Sequence, residues 1–170
     1  MHHGLYKRAR GLGYDGTDKI IVLPYGVEQP ALIASALEEY GITHIDTMLS
    51  IMSLCSVPSS SQSISPTGER TRIDARTAIY TLIARFLAPG GEFLFMEHVR
   101  SARADVAWWQ DVWAPVWVWV MDGCTLGRPT DKWLEAMTDL WEKGEVWTPE
   151  EEPEEHFFWR RVGRFVRKRV

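Results

Sequence analysis

The sequence predicts an α/β fold: a mostly parallel sheet with helices on its faces and an antiparallel strand pair at its C-terminal end. Three observations predict it. Segments with apolar residues at helical spacing alternate with short apolar runs, the pattern of a parallel sheet reached through helical crossovers. The stretch Phe86–Val99 (FLAPGGEFLFMEHV) condenses one such step. A helix end meets a Pro-Gly-Gly stop, an apolar strand follows, and the strand closes on an acid and a histidine. That is the carboxyl end, where open α/β sheets place ligands. Near the C-terminus, residues 144–147 and 157–165 read as two antiparallel strands joined by the acidic segment 149–155.

The elements follow in order. Met1–Ala9 carries Leu5 and Ala9 at helical spacing, and Gly11, Gly13, Asp15 and Gly16 make a turn. Lys19–Pro24 is an apolar run, expected as a buried first strand with Tyr25-Gly26-Val27-Glu28 at its carboxyl end. Ala31–Tyr40 is a helix with Leu32, Ala36 and Leu37 on one face, stopped by Gly41. Asp46–Ile51 is a second strand running into Met52–Val57. Residues 58–68, rich in Ser and Pro, are expected as a flexible surface loop. Ile73–Leu87 is an amphipathic helix with Ala75, Ile79, Leu82, Ile83 and Phe86 inward. Glu92–Met96 is the third strand. Ala104–Met121 is helical, with Pro115 expected to kink or split it. Asp131–Trp141 is a further helix, with Trp133, Met137 and Leu140 inward.

A chain of 170 residues, 45% apolar and 25% charged, suits one domain with a real core. The net charge of −4 gives no reason to expect nucleic acid as a partner. The acidic run at Glu150–Glu155 and the basic end at Arg160–Arg169 read as a solvated loop and a charged edge strand. Cys55 and Cys124 show no zinc spacing, so neither a metal nor a disulfide framework is expected. A reducing, cytoplasmic setting is the default. Five of the nine Trp fall between Trp108 and Trp119. That apolar segment is shorter than the ~20 residues a spanning helix needs.

Several words of the chain resemble the class I S-adenosylmethionine-dependent methyltransferases, within the methyltransferase-like group that includes thiol methyltransferases. They are Met1-His2, Tyr25-Gly26-Val27-Glu28, Leu54-Cys55-Ser56-Val57, Phe86–Arg100, and Asp122-Gly123-Cys124 with Arg128. The resemblance implies a Rossmann-like sheet of seven strands and S-adenosylmethionine as cofactor. It also implies that this chain lacks the first two strands of the family fold, with their glycine-rich loop and ribose-binding acid. The run at Ile20–Leu23 then corresponds to the family's third strand. It is expected either to pair directly with Asp46–Ile51 or to stay an unpaired edge.

By that resemblance Gly26, Val27 and Glu28 approach the adenine, and Ser53, Leu54 and Cys55 line the methionine end of the cofactor. Each has a plainer reading: Glu28 as an acid opening a helix, Cys55 as a small apolar residue at a strand end. Glu97 and His98 lie where an acceptor would sit, and His98 has the chemistry to deprotonate a thiol or hydroxyl. The reading of His98 as a structural histidine bonded to a loop backbone comes ahead of that one, because such methyl transfers often need no base. The Trp cluster reads as packing against the sheet, as an acceptor-pocket wall, or as a peripheral membrane contact. An Asp122–Arg128 pair is expected to tie down its turn. His2, His3, His44 and His156 are expected to be solvent-exposed or locally bonded rather than metal ligands.

Two functions therefore stand open. One is methyl transfer from S-adenosylmethionine to a small-molecule acceptor, with a thiol among the candidates. The other is a non-catalytic methyltransferase-like remnant acting through its Trp-rich segment as an interaction or membrane-peripheral module, self-association included.

Overall fold

Alternation decides the central strand. In the computed structural model, every second residue from Gly91 to Glu97 is buried, so Phe93, Phe95 and Glu97 share the core face of β4 (Leu87–His98). The structure describes residues 7, 8, 10–14, 20–150 and 152–169. Most of the expected N-terminal helix, with His2 and His3, and the turn residues Asp15 and Gly16 lie outside the described residues.

The described elements are α1 (Pro30–Glu38), β1 (Ile45–Ile51), a 3₁₀ turn at Leu54–Ser56, β2 (Ser60–Ile64) and β3 (Arg70–Asp74). Then come α2 (Ala75–Phe86), β4, α3 (Ala104–Val120), α4 (Thr130–Glu135), β5 (Trp141–Trp147) and β6 (Arg160–Arg167). The main sheet has the order β1-β4-β6-β5. β1 runs parallel to β4, with Ile51 opposite Met96. β6 runs antiparallel to both β4 and β5, so the expected C-terminal pair is present.

α2 is the crossover between the parallel strands. Asp74 caps it, accepting from the Thr77 N–H at 3.0 Å and the Thr77 hydroxyl at 2.7 Å. Its inner face (Ala75, Ala78, Ile79, Ile83) packs on Phe93, Phe95 and Phe165 of the sheet, joined by Leu134, Met137 and Trp141. Gly163 of β6 is required there: a Cβ would sit 2.2 Å from the Phe95 ring. A smaller cluster joins Ala34 and Leu37 of α1 to Phe86.

Several expectations are corrected. Residues 20–26 are not a strand but irregular backbone, closed by the Gln29 N–H on the Gly26 carbonyl at 2.9 Å. Leu23 packs against the α1–Phe86 cluster instead of joining the sheet. A short apolar run satisfies either placement, and Pro24 has no N–H for a ladder. With that strand gone, among the described residues β1 is the sheet edge and β1–β4 is the one parallel pairing, so the sheet is mixed rather than mostly parallel. The Ser/Pro-rich segment forms β2, which pairs antiparallel with β3 from Ser60–Asp74 to Ile64–Arg70. Pro115 lies within α3 without ending it, and the expected helix at Asp131–Trp141 is shortened to α4, with Trp141 opening β5.

The Trp-rich helix is a further correction. Only Val106, Ala107 and Gln110 of α3 are buried. Gln110 anchors the helix, accepting from the Ser101 N–H at 2.9 Å and donating to the carbonyls of Val99 and Phe157. Trp108, Trp109, Trp113 and Trp119 are exposed, Trp119 at 85%. Sheet packing therefore does not account for them. Among the described residues no helix is long and apolar enough to cross a membrane.

Candidate functional site

Parallel pairing brings the carboxyl ends of β1 and β4 to one place, so residues 52–55 lie beside Glu97 and His98. Glu97 is fully buried, and its Oε1 accepts from the Ser50 hydroxyl at 2.7 Å, the Ser53 N–H at 3.0 Å and the Leu54 N–H at 3.1 Å. A buried carboxylate needs such donors. Here they come from the loop that follows the neighbouring strand, so the acid fixes that loop's shape. Glu97 Oε2 is buried without a hydrogen-bond partner among the described residues.

The loop begins on a strained residue. Met52 has φ 50°, a left-handed conformation that costs a non-glycine residue about 1–2 kcal/mol. Its N–H is held by the Met96 carbonyl at 2.8 Å. Strain of this kind, fixed by its surroundings, is concentrated at functional sites.

A third segment closes over the loop. Arg128 is 4% exposed, and its guanidinium donates to the carbonyls of Leu54 at 3.0 Å and Val57 at 2.6 Å, with the hydroxyls of Ser59 and Thr125 at 3.3 Å. The expected pair with Asp122 is not formed. Asp122 has φ 47° in the turn that ends α3, and the fixed fork of Arg128 finds backbone carbonyls on the far loop instead. The Thr125 N–H reaches the Cys55 carbonyl at 3.0 Å. Thus the words Leu54–Val57, Glu97–Arg100 and Asp122–Arg128, distant in sequence, converge at the carboxyl end of the β1–β4 pair.

Cys55 and Cys124 are both buried there, with their sulfurs 3.1 Å apart. Burial, with the Cys124 hydrogen bond second, pushes the Cys55 thiol up to about 12, so Cys55 is protonated near neutrality. A His98 ring nitrogen lies within 4.8 Å of both sulfurs. His98 is half-buried and tilted against Phe158 at 5.6 Å between ring centres. Its Nδ1 is buried without a partner among the described residues. Burial, then the charge of Arg160, holds its pKa below the ordinary imidazole value.

The remaining candidates lie differently. Ser53 is exposed at the strand tips, whereas Leu54 and Cys55 are buried. Gly26, Val27 and Glu28 belong to the turn before α1. Val27 packs on the main core, and the Glu28 carboxylate folds back over Gly26, where a Cβ would lie 2.3 Å from its oxygens. His44 is exposed beside the Thr43 hydroxyl. His156 bonds to Glu152 at 2.5 Å.

Sequence reasoning missed Arg128 as a loop clasp and Cys124 as the partner of Cys55. Their only signal was membership of the word Asp122–Arg128. It also missed Glu152, which the acidic run placed in solvent. Its side chain is fully buried, bonded to His156 and, at 2.8 and 2.5 Å, to Arg160.

Over 54 residues, 31% of this chain, the sequence is 44% identical to the human thiol S-methyltransferase TMT1A, and to the same extent to human TMT1B. The matched stretch covers 22% of the length of each relative. No protein-family model matches. A structure solved in work on the conversion of a disulfide bond into a thioacetal group during echinomycin biosynthesis superimposes with a TM-score of 0.48 and 13% identity. The superposition covers 96% of this chain and 60% of that one.

Proposed function

We propose that this chain carries the strand-tip portion of an S-adenosylmethionine-dependent methyltransferase acting on a small-molecule acceptor, a thiol being the first candidate. The observation that carries the reading is the 44% identity over 54 residues to two thiol S-methyltransferases. The convergence of three sequence words at one sheet end supports it.

The residues fit the cofactor at the strand tips. The orphaned Glu97 Oε2 and the strained Met52 mark a site held in shape for something other than stability. When bound, S-adenosylmethionine supplies an activated methyl that passes in line to the acceptor, leaving a neutral thioether, so the protein's work is alignment and exclusion of water. Ser53 offers its hydroxyl, which bonds the Ser50 hydroxyl at 2.8 Å and lies 3.5 Å from Glu97 Oε1, and Leu54 and Cys55 shape the wall behind it. Gly26 and Val27 contribute backbone, and Glu28 must unfold from Gly26 to reach a ligand. Glu97 acts as a positioning residue, its Oε1 being committed to the loop. In the metal-free chain, the neutral His98 imidazole is the group left to take the acceptor's proton.

Isothermal titration of S-adenosylmethionine into the chain tests the reading. Micromolar binding, weakened by Ser53→Ala, is the expected outcome; a folded chain that binds none contradicts it.

One observation favours a second role, for α3. At about 100° per residue, Trp108, Trp109, Val112, Trp113, Val116, Trp119 and Val120 share one arc of roughly 140°, and all are exposed. From Trp108 onward no charge interrupts that arc. The occupant we assign to it is a lipid surface, on which Trp rings rest with their polar N–H at headgroup level.

A further inference from the structure

We propose that Cys55, Cys124 and His98 form a zinc site at the convergence of the loops after β1, β4 and α3. The site does not depend on methyl transfer.

The donor set comes first. Two sulfurs and a ring nitrogen from three separate segments all lie within 4.8 Å of one another, and both cysteines are free and buried. Thiolate and imidazole are the ligands zinc prefers, and three protein ligands leave one position open. Tetrahedral zinc with bonds of about 2.3 Å to sulfur and 2.0–2.1 Å to nitrogen needs S···S near 3.8 Å and S···N near 3.6 Å. The sulfurs are 3.1 Å apart, so they need to part by roughly 0.7 Å, and the nitrogen, within 4.8 Å of both sulfurs, needs to close by at most about 1.2 Å.

An unexplained polar atom comes second. His98 Nδ1 is buried with no hydrogen-bond partner among the described residues, which native structures avoid unless something else fills the role. A ligated histidine has one ring nitrogen on the metal and the other free to donate outward.

Charge comes third. Binding follows Zn²⁺ + 2 Cys–SH + His → Zn(S-Cys)₂(His) + 2 H⁺, with no electron transferred. The incoming charge equals the charge released. The exchange therefore disturbs neither Arg128, buried without a carboxylate partner among the described residues, nor the nearby Glu97. A monovalent ion making the same exchange would leave a buried net negative charge, which is costly. A His98 lone pair held by zinc takes no proton from an acceptor, so the metal-loaded chain does not use this imidazole as a base.

The test uses the whole chain, reduced by a phosphine and stripped of metal. Zn²⁺ alone is titrated in competition with a chromophoric chelator, and Co²⁺ is added separately as a spectroscopic probe. The expected result is one zinc per chain, a Co²⁺ spectrum with strong thiolate charge-transfer absorption, and a raised Tm with zinc. Cys55→Ser, Cys124→Ser and His98→Gln should each weaken binding by more than about a hundredfold, the upper range for lost outer-shell partners. His44→Ala and His156→Ala should retain it. If a cysteine variant fails to fold, the wild-type Co²⁺ spectrum still decides. Zinc bound without thiolate charge-transfer, affinity unchanged in folded His98→Gln, or no zinc bound by the folded reduced chain would each overturn the site.

Discussion

Glu97 accepts the Leu54 N–H at 3.1 Å, across the pairing of two parallel strands and 43 residues of sequence. One buried carboxylate oxygen thereby sets the loop on which Cys55 sits. With Arg128 gripping the same loop at Leu54 and Val57, the strand tip is held from the sheet and from the segment after α3.

Removing the acid should unlatch that loop. Glu97→Ala leaves the Ser53 and Leu54 N–H groups without their acceptor. Hydrogen bonds to a charged group contribute about 1.5–3 kcal/mol each and do not add fully, so a loss near 3 kcal/mol is expected in urea unfolding. Glu97→Gln keeps a carbonyl acceptor and should lose about half as much. An alanine variant as stable as the parent would show that these bonds do not hold the loop.

Arg128→Lys should behave as a non-conservative change. A lysine ammonium cannot span two carbonyls and two hydroxyls as the planar fork does. We expect amide exchange at residues 54–59 to accelerate at least about tenfold, a local opening cheaper by ~1.4 kcal/mol, with β4 and β6 amides unchanged. Unaltered protection at 54–59 would remove the clasp role.

The Glu152 cluster predicts an acid limb. Burial works to raise the Glu152 pKa, but the Arg160 and His156 hydrogen bonds outweigh it and leave it below the ordinary glutamate value. A depressed carboxylate contributes stability that is full above its unfolded pKa. That contribution is lost as pH falls from the ordinary glutamate range through the lower folded value. Denaturation midpoints should therefore drop below about pH 4.5, and Glu152→Gln should flatten that drop while lowering stability at neutral pH. An acid limb identical in the variant would place the titrating group elsewhere.

The lipid reading of α3 predicts co-sedimentation with phosphatidylcholine vesicles and a blue shift of tryptophan emission. Trp113→Ser combined with Trp119→Ser should abolish both, because the two rings leave the apolar arc while the buried anchor Gln110 stays. Dimerisation in place of vesicle binding would assign the face to a second copy instead.

Much of this architecture was legible in the sequence where local chemistry leaves one solution. Pro-Gly-Gly before an apolar alternation signals a helix end and a strand, and β4 is there, although it starts at Leu87 and takes Pro89-Gly90-Gly91 into itself instead of beginning at Glu92. The parallel partner at 46–51 and the terminal antiparallel pair followed from the same reasoning. Ile20–Leu23 was not legible, because a short apolar run is satisfied equally by a sheet or by packing on α1. The Ser/Pro-rich segment hid a hairpin because its exposed strands carry no apolar stripe. At the site, Glu97 and Cys55 were legible as residues at strand ends, which is where the structure puts them. Their partners Arg128 and Cys124 were not, since side-chain meetings across about 70 residues leave no periodic trace.

Amide mapping of the isotope-labelled chain during addition of S-adenosylhomocysteine tests the functional account most directly. The account predicts saturable shifts concentrated at Ser53, Leu54 and Cys55 and at the Glu97–His98 tip, with α3 silent. Absence of shifts in a folded sample, or shifts confined to α3 or the β2–β3 hairpin, would contradict it.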